Sequence, residues 1–375
     1  MSTFTRSSTG TSTGTSTSAS TSASTGSTSD GKNGTMNGTM NGTTDGTLNA
    51  TTTEANRRPR LSGMTWLVWR QHRAAFWTIL AATALSAAWI VYQRGQLVDF
   101  LDGYGYPGKS LDEAGGEFAR YTDAFSFVSI GLQAIPILLG VFLGAPLVAG
   151  DLENGTAKLV AAQSMSRTRW LATKLVLAGL VVVVSTGVLS ALFGWWWNPV
   201  KSEATAMDWT SGEAFNTTGP VPVALTLFSV FGGVAIGVVL RRTLTAMVVT
   251  FGFTVVLQLV WGYFLLSLGN VVTVTTDKGV TGENTFPSLP RGAYEIDQSY
   301  VTGSGDLLGW GTCSGSQTDA ARQVCLDKDD VVGWSVQYLP LSQMNAMQWF
   351  GASILFALTA GVVAFLFFWG RKRLV

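Results

Sequence analysis

The stretch ATKLVLAGLVVVVSTGVLSALFGW, residues 172–195, decides the fold of this chain. Crossing the hydrocarbon core of a bilayer takes about 20 apolar residues in a helix, and the only charge here is Lys174, near the start. The valine run Val181–Val184 would favour a strand in water, but in lipid the backbone must satisfy its own hydrogen bonds and becomes helical. The stretch predicts a transmembrane helix with Lys174 at its cytoplasmic edge.

Five further stretches have the same length and character. They are residues 74–92, 125–149, 221–240, 244–268 and 347–369. None contains Asp, Glu or Arg in its apolar core, and a single charge at mid-bilayer costs about 2.5–3.5 kcal/mol. The sequence therefore predicts an all-α integral membrane protein with six transmembrane helices.

Composition excludes several classes of protein. Hydrophobic residues make up 47% of the chain and charged residues only 13%, whereas soluble domains carry about 25% charged residues. The formal net charge of +1 argues against nucleic-acid binding, which usually requires a clearly basic domain. One histidine, His72, and two cysteines are too few for a zinc site. A membrane-embedded enzyme would need intramembrane nucleophiles, bases or metal ligands, so we predict neither catalytic residues nor a metal site.

The distribution of Lys and Arg predicts the orientation. With both termini in the cytoplasm, 16 of the 24 Lys and Arg residues fall in inner segments. Such an excess marks the cytoplasmic side of membrane proteins. We expect both the N- and the C-terminus to be cytoplasmic.

Residues 1–63 form a separate predicted region. The first 56 are almost purely Ser, Thr, Gly and Asn, a composition with too little apolar surface to repay the entropy of ordering. We interpret residues 1–63 as a disordered cytoplasmic tail, with an upstream extension of a chain that begins at Met64 as the alternative. Residues 64–375 are then the six-span domain.

The segment TWLVWRQHR, residues 65–73, mixes Trp66 and Trp69 with cationic residues. Indoles favour the headgroup region and Arg favours the cytoplasmic side. We predict a short interfacial helix that leads into the first span, with His72 as one more polar group at that interface.

Gly103–Ser110, GYGYPGKS, fits the phosphate-binding expression G-x-x-x-x-G-K-[ST] at every position. That motif works between a buried strand and a helix N-terminus inside a nucleotide-binding domain. Here it falls in an outer loop between the first two spans, with no apolar strand before it. We interpret it as a chance match, so any ATP must be hydrolysed by a separate chain.

The largest predicted outer loop, residues 270–346, contains both cysteines, Cys313 and Cys325. An oxidising exterior permits a disulfide between them, which would close a short loop and contribute about 3 kcal/mol.

Two glycine pairs lie inside spans: Gly140 with Gly144, and Gly233 with Gly237. Small residues four apart let helices approach closely. We expect packing within one chain, with packing between two permease copies as the alternative.

Several polar or aromatic residues lie at membrane depth or at its edge. For Gln133, Pro136 and Gln258 we expect hydrogen bonds to neighbouring helices or kinks, with contact to a transported substrate as the alternative. Trp195–Trp197 is interpreted as an aromatic belt at the outer interface.

The predicted inner loop after the second span is GAPLVAGDLENGTAKLVAAQSMSRTRWLATKL, residues 144–175. An amphipathic helix is predicted over residues 157–163, with acids before it and cations after it. Such charges suit a helix dipole, which is a purely structural explanation. A short helix held flat between two spans is also what a mechanical coupling element requires.

At this loop the chain resembles the membrane subunit (permease) of type-2 ABC exporters, in particular an actinobacterial-like branch. The matching residues of the loop are Pro146, Leu147, Asp151, Glu153, Gly155, Thr156, Gln163, Ser166, Arg167, Arg169, Trp170, Lys174 and Leu175. Further matching stretches are residues 66–73, 241–243, 246–247 and 348–349. The chain departs from the family pattern at Gly150-Asp151, where Arg-Glu is expected, and near Gly351, where an acid is common.

The resemblance implies a permease subunit of an ATP-driven exporter in a bacterial cell membrane. Its loop would carry a coupling helix that docks on a separate ATPase subunit, through Asp151, Glu153, Gly155, Thr156, Arg167 and Arg169. The partners would be ABC ATPase subunits, a second permease copy or a sister permease, and the lipid bilayer. ATP and magnesium would be bound by the ATPase, and this chain would hold no cofactor. The alternative function is a membrane sensor or immunity protein that binds a peptide or lipid through the outer loop.

Overall fold

The computed structural model describes residues 64–155, 166–203, 207–282 and 284–373. Six of its helices are long and apolar enough to cross a membrane, which confirms the predicted number of spans and the mainly helical membrane fold. The tail at residues 1–63 and the helix predicted over residues 157–163 lie outside the described residues. The helices are α1 Met64–Tyr104, α2 Gly116–Leu139, α3 Ala145–Glu153, α4 Arg167–Trp197, α5 Gly212–Phe215, α6 Val221–Leu240, α7 Thr243–Phe264, α8 Asp319–Lys328 and α9 Met344–Arg373.

The first span, α1, is one unbroken helix of 41 residues. At a rise of about 1.5 Å per residue it is roughly 60 Å long, twice the thickness of the hydrocarbon core. Residues 65–73, predicted as a short interfacial helix that leads into the first span, are helical and continue into that span without a break. The first glycine after Met64 is Gly95, so nothing in the intervening sequence stops the helix.

The second span changes its winding midway. Pro136 lies inside α2, and a π-helical turn over Gly140–Gly144 follows before α3 begins. Proline removes one backbone N–H from the helical ladder, and neighbouring turns in membrane helices commonly readjust around it. The span then continues to Glu153 and brings that residue to the end of the bundle at which α1 begins.

The fourth span, α6, is the centre of the bundle. Of its 18 most apolar consecutive residues 61% are buried, against 11% of the corresponding residues in the first span. It packs against the second, third, fifth and sixth spans. The lipid-facing spans show the opposite pattern: Leu244, Val248 and Leu259 of α7 are each more than 60% exposed.

The two glycine pairs meet each other. A Cβ added to Gly233 would lie 2.7 Å from the carbonyl oxygen of Gly140, and one added to Gly237 would lie 2.5 Å from that of Ala145. A Cβ on Gly144 would collide with the backbone of Val230. The prediction that these glycines pack within one chain is confirmed.

The segment between the fifth and sixth spans folds into a small unit that no local sequence pattern predicted. It contains four antiparallel strands in the order β1-β4-β2-β3, together with α8. The strands are β1 Val272–Thr275, β2 Tyr294–Thr302, β3 Leu307–Gly309 and β4 Val331–Leu339. Tyr300 is fully buried against Trp334, with ring centroids 4.7 Å apart. Cys313 and Cys325 are joined by a disulfide with a Cα–Cα distance of 6.0 Å.

Only one residue of the tryptophan triplet fits the predicted aromatic belt. Trp195 is exposed and lies under Arg94, whose guanidinium carbon is 3.7 Å from the ring centroid. Trp196 and Trp197 are 0% and 3% exposed. Successive residues of a helix point about 100° apart, so three in a row cannot all face lipid, and the belt interpretation is wrong for these two.

Candidate coupling site

The candidate site lies where the N-terminus of α1, the end of α3, the start of α4 and the turn between α6 and α7 meet. Side chains from the second span reach across to the other elements there. Three contacts define the geometry: Asp151 with Lys174, Asp151 with Gln71, and Glu153 with Thr243.

Lys174 is fully buried and forms an ion pair with Asp151, which is 7% exposed. Its ammonium group also donates to the carbonyl oxygen of Leu147 at 2.7 Å and lies 5.0 Å from the centroid of the Trp170 ring. Burying two charges is tolerated only when they are paired and hydrogen-bonded. This pair therefore joins the second span to the third at a specific depth.

The other carboxylate oxygen of Asp151 accepts a hydrogen bond of 2.7 Å from Gln71 Nε2 on the first span. One carboxylate thus holds three spans together. Asp151 was predicted to contact the ATPase, but the structure turns it inward. Gln71 was not singled out from the sequence, since a glutamine in an amphipathic stretch carries no distinctive signal.

Glu153 makes the link to the fifth span. Its Oε2 accepts a hydrogen bond of 2.8 Å from the backbone N–H of Thr243. The residue before Thr243, Arg242, provides no side-chain cap for α7, so an acid from a distant part of the chain satisfies this unpaired N–H. A negative charge at a helix N-terminus is also favoured by the helix dipole.

The turn between the fourth and fifth spans is very short. Arg241 ends α6 with a left-handed φ of 57°, and Thr243 already begins α7. Because only Arg241 and Arg242 separate the two helices, Glu153 contacts a rigid corner of the bundle and not a long loop.

Gly155 lies two residues after the end of the second span. Its φ of +70° lies in the left-handed region, which glycine adopts at helix ends without steric cost. Thr156, which was predicted to belong to the coupling site, lies outside the described residues.

The chain re-enters the bundle at α4. The Ser166 hydroxyl accepts the backbone N–H of Arg169 at 3.2 Å and caps the helix. Arg169 is exposed, and Arg167 is the first residue of α4. The predicted coupling residues Asp151, Glu153, Gly155, Arg167 and Arg169 lie on either side of residues 156–165.

His72 lies beside this network without joining it. Its ring centroid is 6.0 Å from that of Phe76, and its Nε2 is buried with no hydrogen-bond partner among the described residues. Nothing in this arrangement provides the base and nucleophile pair of a catalytic site.

The loop Gly103–Ser110 lacks the geometry of a phosphate-binding loop. It follows the helix α1 and not a strand. The N–H groups of Gly108 and Lys109 both donate to the carbonyl oxygen of Gly105, at 2.9 and 3.2 Å, so they are not turned toward a ligand. The Lys109 ammonium lies 5.4 Å from the centroid of the Tyr104 ring. The structure supports the interpretation as a chance match.

Polar groups at membrane depth are used for packing. Gln258 Nε2 donates to the carbonyl oxygen of Gln133 at 2.9 Å, and thus joins the fifth span to the second just before Pro136. The expectation of a bond across helices is confirmed for Gln258, whereas the Gln133 side chain donates to Ser129 Oγ of its own helix at 3.1 Å.

A cavity of about 800 Å³ lies between the first, second and third spans. Its lining is mostly apolar, with a few hydroxyl groups that include Thr83, Ser86 and Thr186. No charged side chain belongs to this lining.

Residues 80–265 match the family model described as ABC-2 membrane transporter related. This chain is a type-2 ABC permease. Searches among curated proteins and among solved structures returned no match.

The permease match covers most of the first span and the next four. It includes residues 156–165 and the corner at Arg241–Thr243. The family model and the six apolar helices together establish a multi-pass membrane protein with a transport role. The extramembrane sheet and the sixth span lie outside the matched region.

Proposed function

We propose that this permease is the membrane subunit of an ATP-driven exporter and that separate ATPase subunits dock on the segment between Gly155 and Arg169. The observation that carries the proposal is the set of contacts at this segment's ends. The segment connects the second span to the third in the sequence, and the Asp151–Lys174 ion pair links the same two spans. Gln71 of the first span donates a hydrogen bond to Asp151. Glu153 accepts a hydrogen bond from Thr243 of the fifth span.

These contacts suit the transmission of a mechanical step. A docked ATPase that changes shape on closing around ATP would displace the segment, and four spans would move with it. Such coupling requires a rigid element that links the two sites and has two arrangements. The buried Asp151–Lys174 pair resists sliding of the second span against the third, because separation would leave each charge buried without its partner.

ATP and magnesium belong to the ATPase subunits in this proposal. The translocation path would form with a second copy of the chain or a sister permease. The uncharged cavity between the first three spans favours an amphipathic or lipid-like cargo over a small ion. Export as the direction of transport follows from the resemblance described above.

The proposal is tested by co-purification of the permease with its ATPase from membranes, with Arg169→Glu as the diagnostic variant. Reversing this exposed charge at the start of the third span is expected to reduce the amount of bound ATPase and ATP-dependent transport several-fold. Arg73→Glu is the matched control, since Arg73 is an exposed cation of α1 near the same end of the bundle. Wild-type ATPase binding and transport by Arg169→Glu would refute the docking role.

A second candidate function rests on the folded extramembrane unit with its disulfide. A sensor or immunity protein would bind a peptide or lipid through that unit. One experiment distinguishes the two functions: permease and ATPase are reconstituted together, and ATP hydrolysis and transport of cargo are both measured. If sensing were the whole role, the two proteins would bind each other and hydrolyse ATP without moving any cargo.

A further inference from the structure

A second cavity, of about 570 Å³, lies at the opposite end of the bundle from the coupling site. The end of the third span forms one wall, the start of the sixth span forms another, and the segment before β2 closes the third side. The lining residues used below are Trp197, Lys201, Arg291, Leu341, Met344 and Gln348. Its volume falls within the range of small-molecule sites, about 300–1,000 Å³.

The cavity lies at the edge of the membrane. Its walls include the last turn of the third candidate span and the first turns of the sixth, which cover Thr168–Val200 and Leu341–Trp369. Exposed indoles flank it, since Trp195 is 46% and Trp349 is 55% exposed. Exposed tryptophans of this kind mark the headgroup level of a bilayer.

The charge of the cavity is positive. Lys201 and Arg291 both line it, and no Asp or Glu does. Among the described residues neither cation forms an ion pair. The nearby carboxylate of Glu203 accepts a hydrogen bond of 3.2 Å from the Tyr106 hydroxyl.

Packing brings the backbones beside the two cations together. Gly292 has a left-handed φ of +69°, and a Cβ there would lie 3.3 Å from Ser202 Cα and 3.0 Å from a methyl carbon of Leu341. Its carbonyl oxygen accepts a hydrogen bond of 2.7 Å from Trp209 Nε1. The backbone next to Arg291 is therefore held against the backbone next to Lys201, and both exposed cations line the same cavity.

The remaining walls are mainly apolar. Trp197 is 3% exposed, and Leu341 and Met344 line the cavity as well. The Gln348 amide is already hydrogen-bonded: its Nε2 donates to the carbonyl oxygens of Phe215 and Thr218, each at 3.1 Å. A ligand that carries an anionic group next to apolar atoms fits this combination of cations and apolar surface.

We propose that this cavity binds the phosphate-bearing headgroup of an anionic phospholipid from the adjacent leaflet. Lys201 and Arg291 pair with the phosphate, and the side chains of Leu341 and Met344 contact the glycerol and the start of the acyl chains. Lysine and arginine are the usual partners of phosphate. The lipid would brace the extramembrane unit against the sixth span, a role that does not depend on ATP.

The test uses the purified full-length permease in neutral detergent, without any ATPase. Its retention of phosphatidylglycerol, phosphatidylcholine and inorganic phosphate is measured by native mass spectrometry. We expect preferential retention of phosphatidylglycerol, reduced about 30-fold in K201Q/R291Q, because each cation near a membrane surface contributes about 1 kcal/mol to anionic lipid binding. K201R/R291K keeps both positive charges and should retain the lipid. Lipid loss in K201Q/R291Q alone would then result from the missing charges and not from misfolding.

K109Q/K328Q is the matched control, since it removes two cations from the same end of the molecule but from outside the cavity. It should bind phosphatidylglycerol as the wild type does. Equal retention of the two lipids, or unchanged retention in K201Q/R291Q, would overturn the proposal. Inorganic phosphate that binds as tightly as the lipid would identify a free anion as the ligand and overturn the lipid assignment.

Discussion

At the scale of single residues, the most informative feature is the charged side chain of Lys174 inside the bundle, because the apolar spans were predicted to contain almost no charge. Lys174 was interpreted as a cation at a cytoplasmic edge, yet its side chain is fully buried and paired with Asp151. A buried ion pair adds little net stability over an apolar pair of the same shape, but removing one partner is costly. Its value here is geometric, since it fixes how the second and third spans meet.

This gives a prediction about stability. Lys174→Met should destabilise the folded protein by about 3–5 kcal/mol, because Asp151 is then buried without its counter-charge. The double variant Asp151→Asn with Lys174→Met should recover much of that loss, since no charge is left buried. Unfolding in detergent, followed by tryptophan fluorescence, measures both. A single variant as stable as the wild type, or a double variant no better than the single one, would contradict this account.

At the scale of elements, the second and fourth spans approach closely along their glycines. Gly233 and Gly237 lie against the backbone of the π-helical turn and of α3, and no side chain separates them. We call this contact along Gly140, Gly144, Gly233 and Gly237 the glycine seam. The π-helical turn that follows Pro136 lies in the same part of the second span. Close backbone contact replaces the hydrophobic driving force that is absent between helices in lipid.

We therefore predict that Gly237→Ala destabilises the bundle by about 1–3 kcal/mol, which is typical of overpacking. The added methyl group would lie 2.5 Å from the carbonyl oxygen of Ala145. Thermal unfolding in detergent is the measurement. Gly252→Ala on α7 is the matched control, because a Cβ there meets nothing within 4 Å, and its unfolding temperature should stay the same or rise. Equal behaviour of the two variants would show that the seam does not limit stability.

At the scale of the whole molecule, the two ends of the bundle differ in construction. One end carries Asp151 and Glu153, whose contacts join four spans, and the other carries a folded sheet with a disulfide. The predicted orientation places the first in the cytoplasm and the second outside, where a disulfide persists.

The orientation leads to a labelling prediction. In a cysteine-free background with Cys313→Ser and Cys325→Ser, a cysteine is introduced either at Gln163 or at Lys328. A maleimide that cannot cross membranes should label position 328 on intact cells and position 163 only after the cells are opened. The excess of Lys and Arg in the inner segments is the physical reason. Labelling of position 163 on intact cells would reverse the topology.

The sequence by itself determined the membrane class, the six spans and the close helix packing at the two glycine motifs. Each of these depends on local patterns: a run of about 20 apolar residues has only one stable form in lipid, and glycines four apart share one helix face. The rejected phosphate-binding match followed from local context in the same way.

Only the tertiary structure decided which polar groups meet. Asp151 pairs with a lysine 23 positions away and with a glutamine 80 positions away, while Glu153 caps a helix 90 positions away. The burial of Trp196, the sheet after the fifth span and the cationic cavity at Arg291 are likewise products of packing. Contacts between distant segments depend on how helices cross and rotate, and no local pattern of residues specifies those angles.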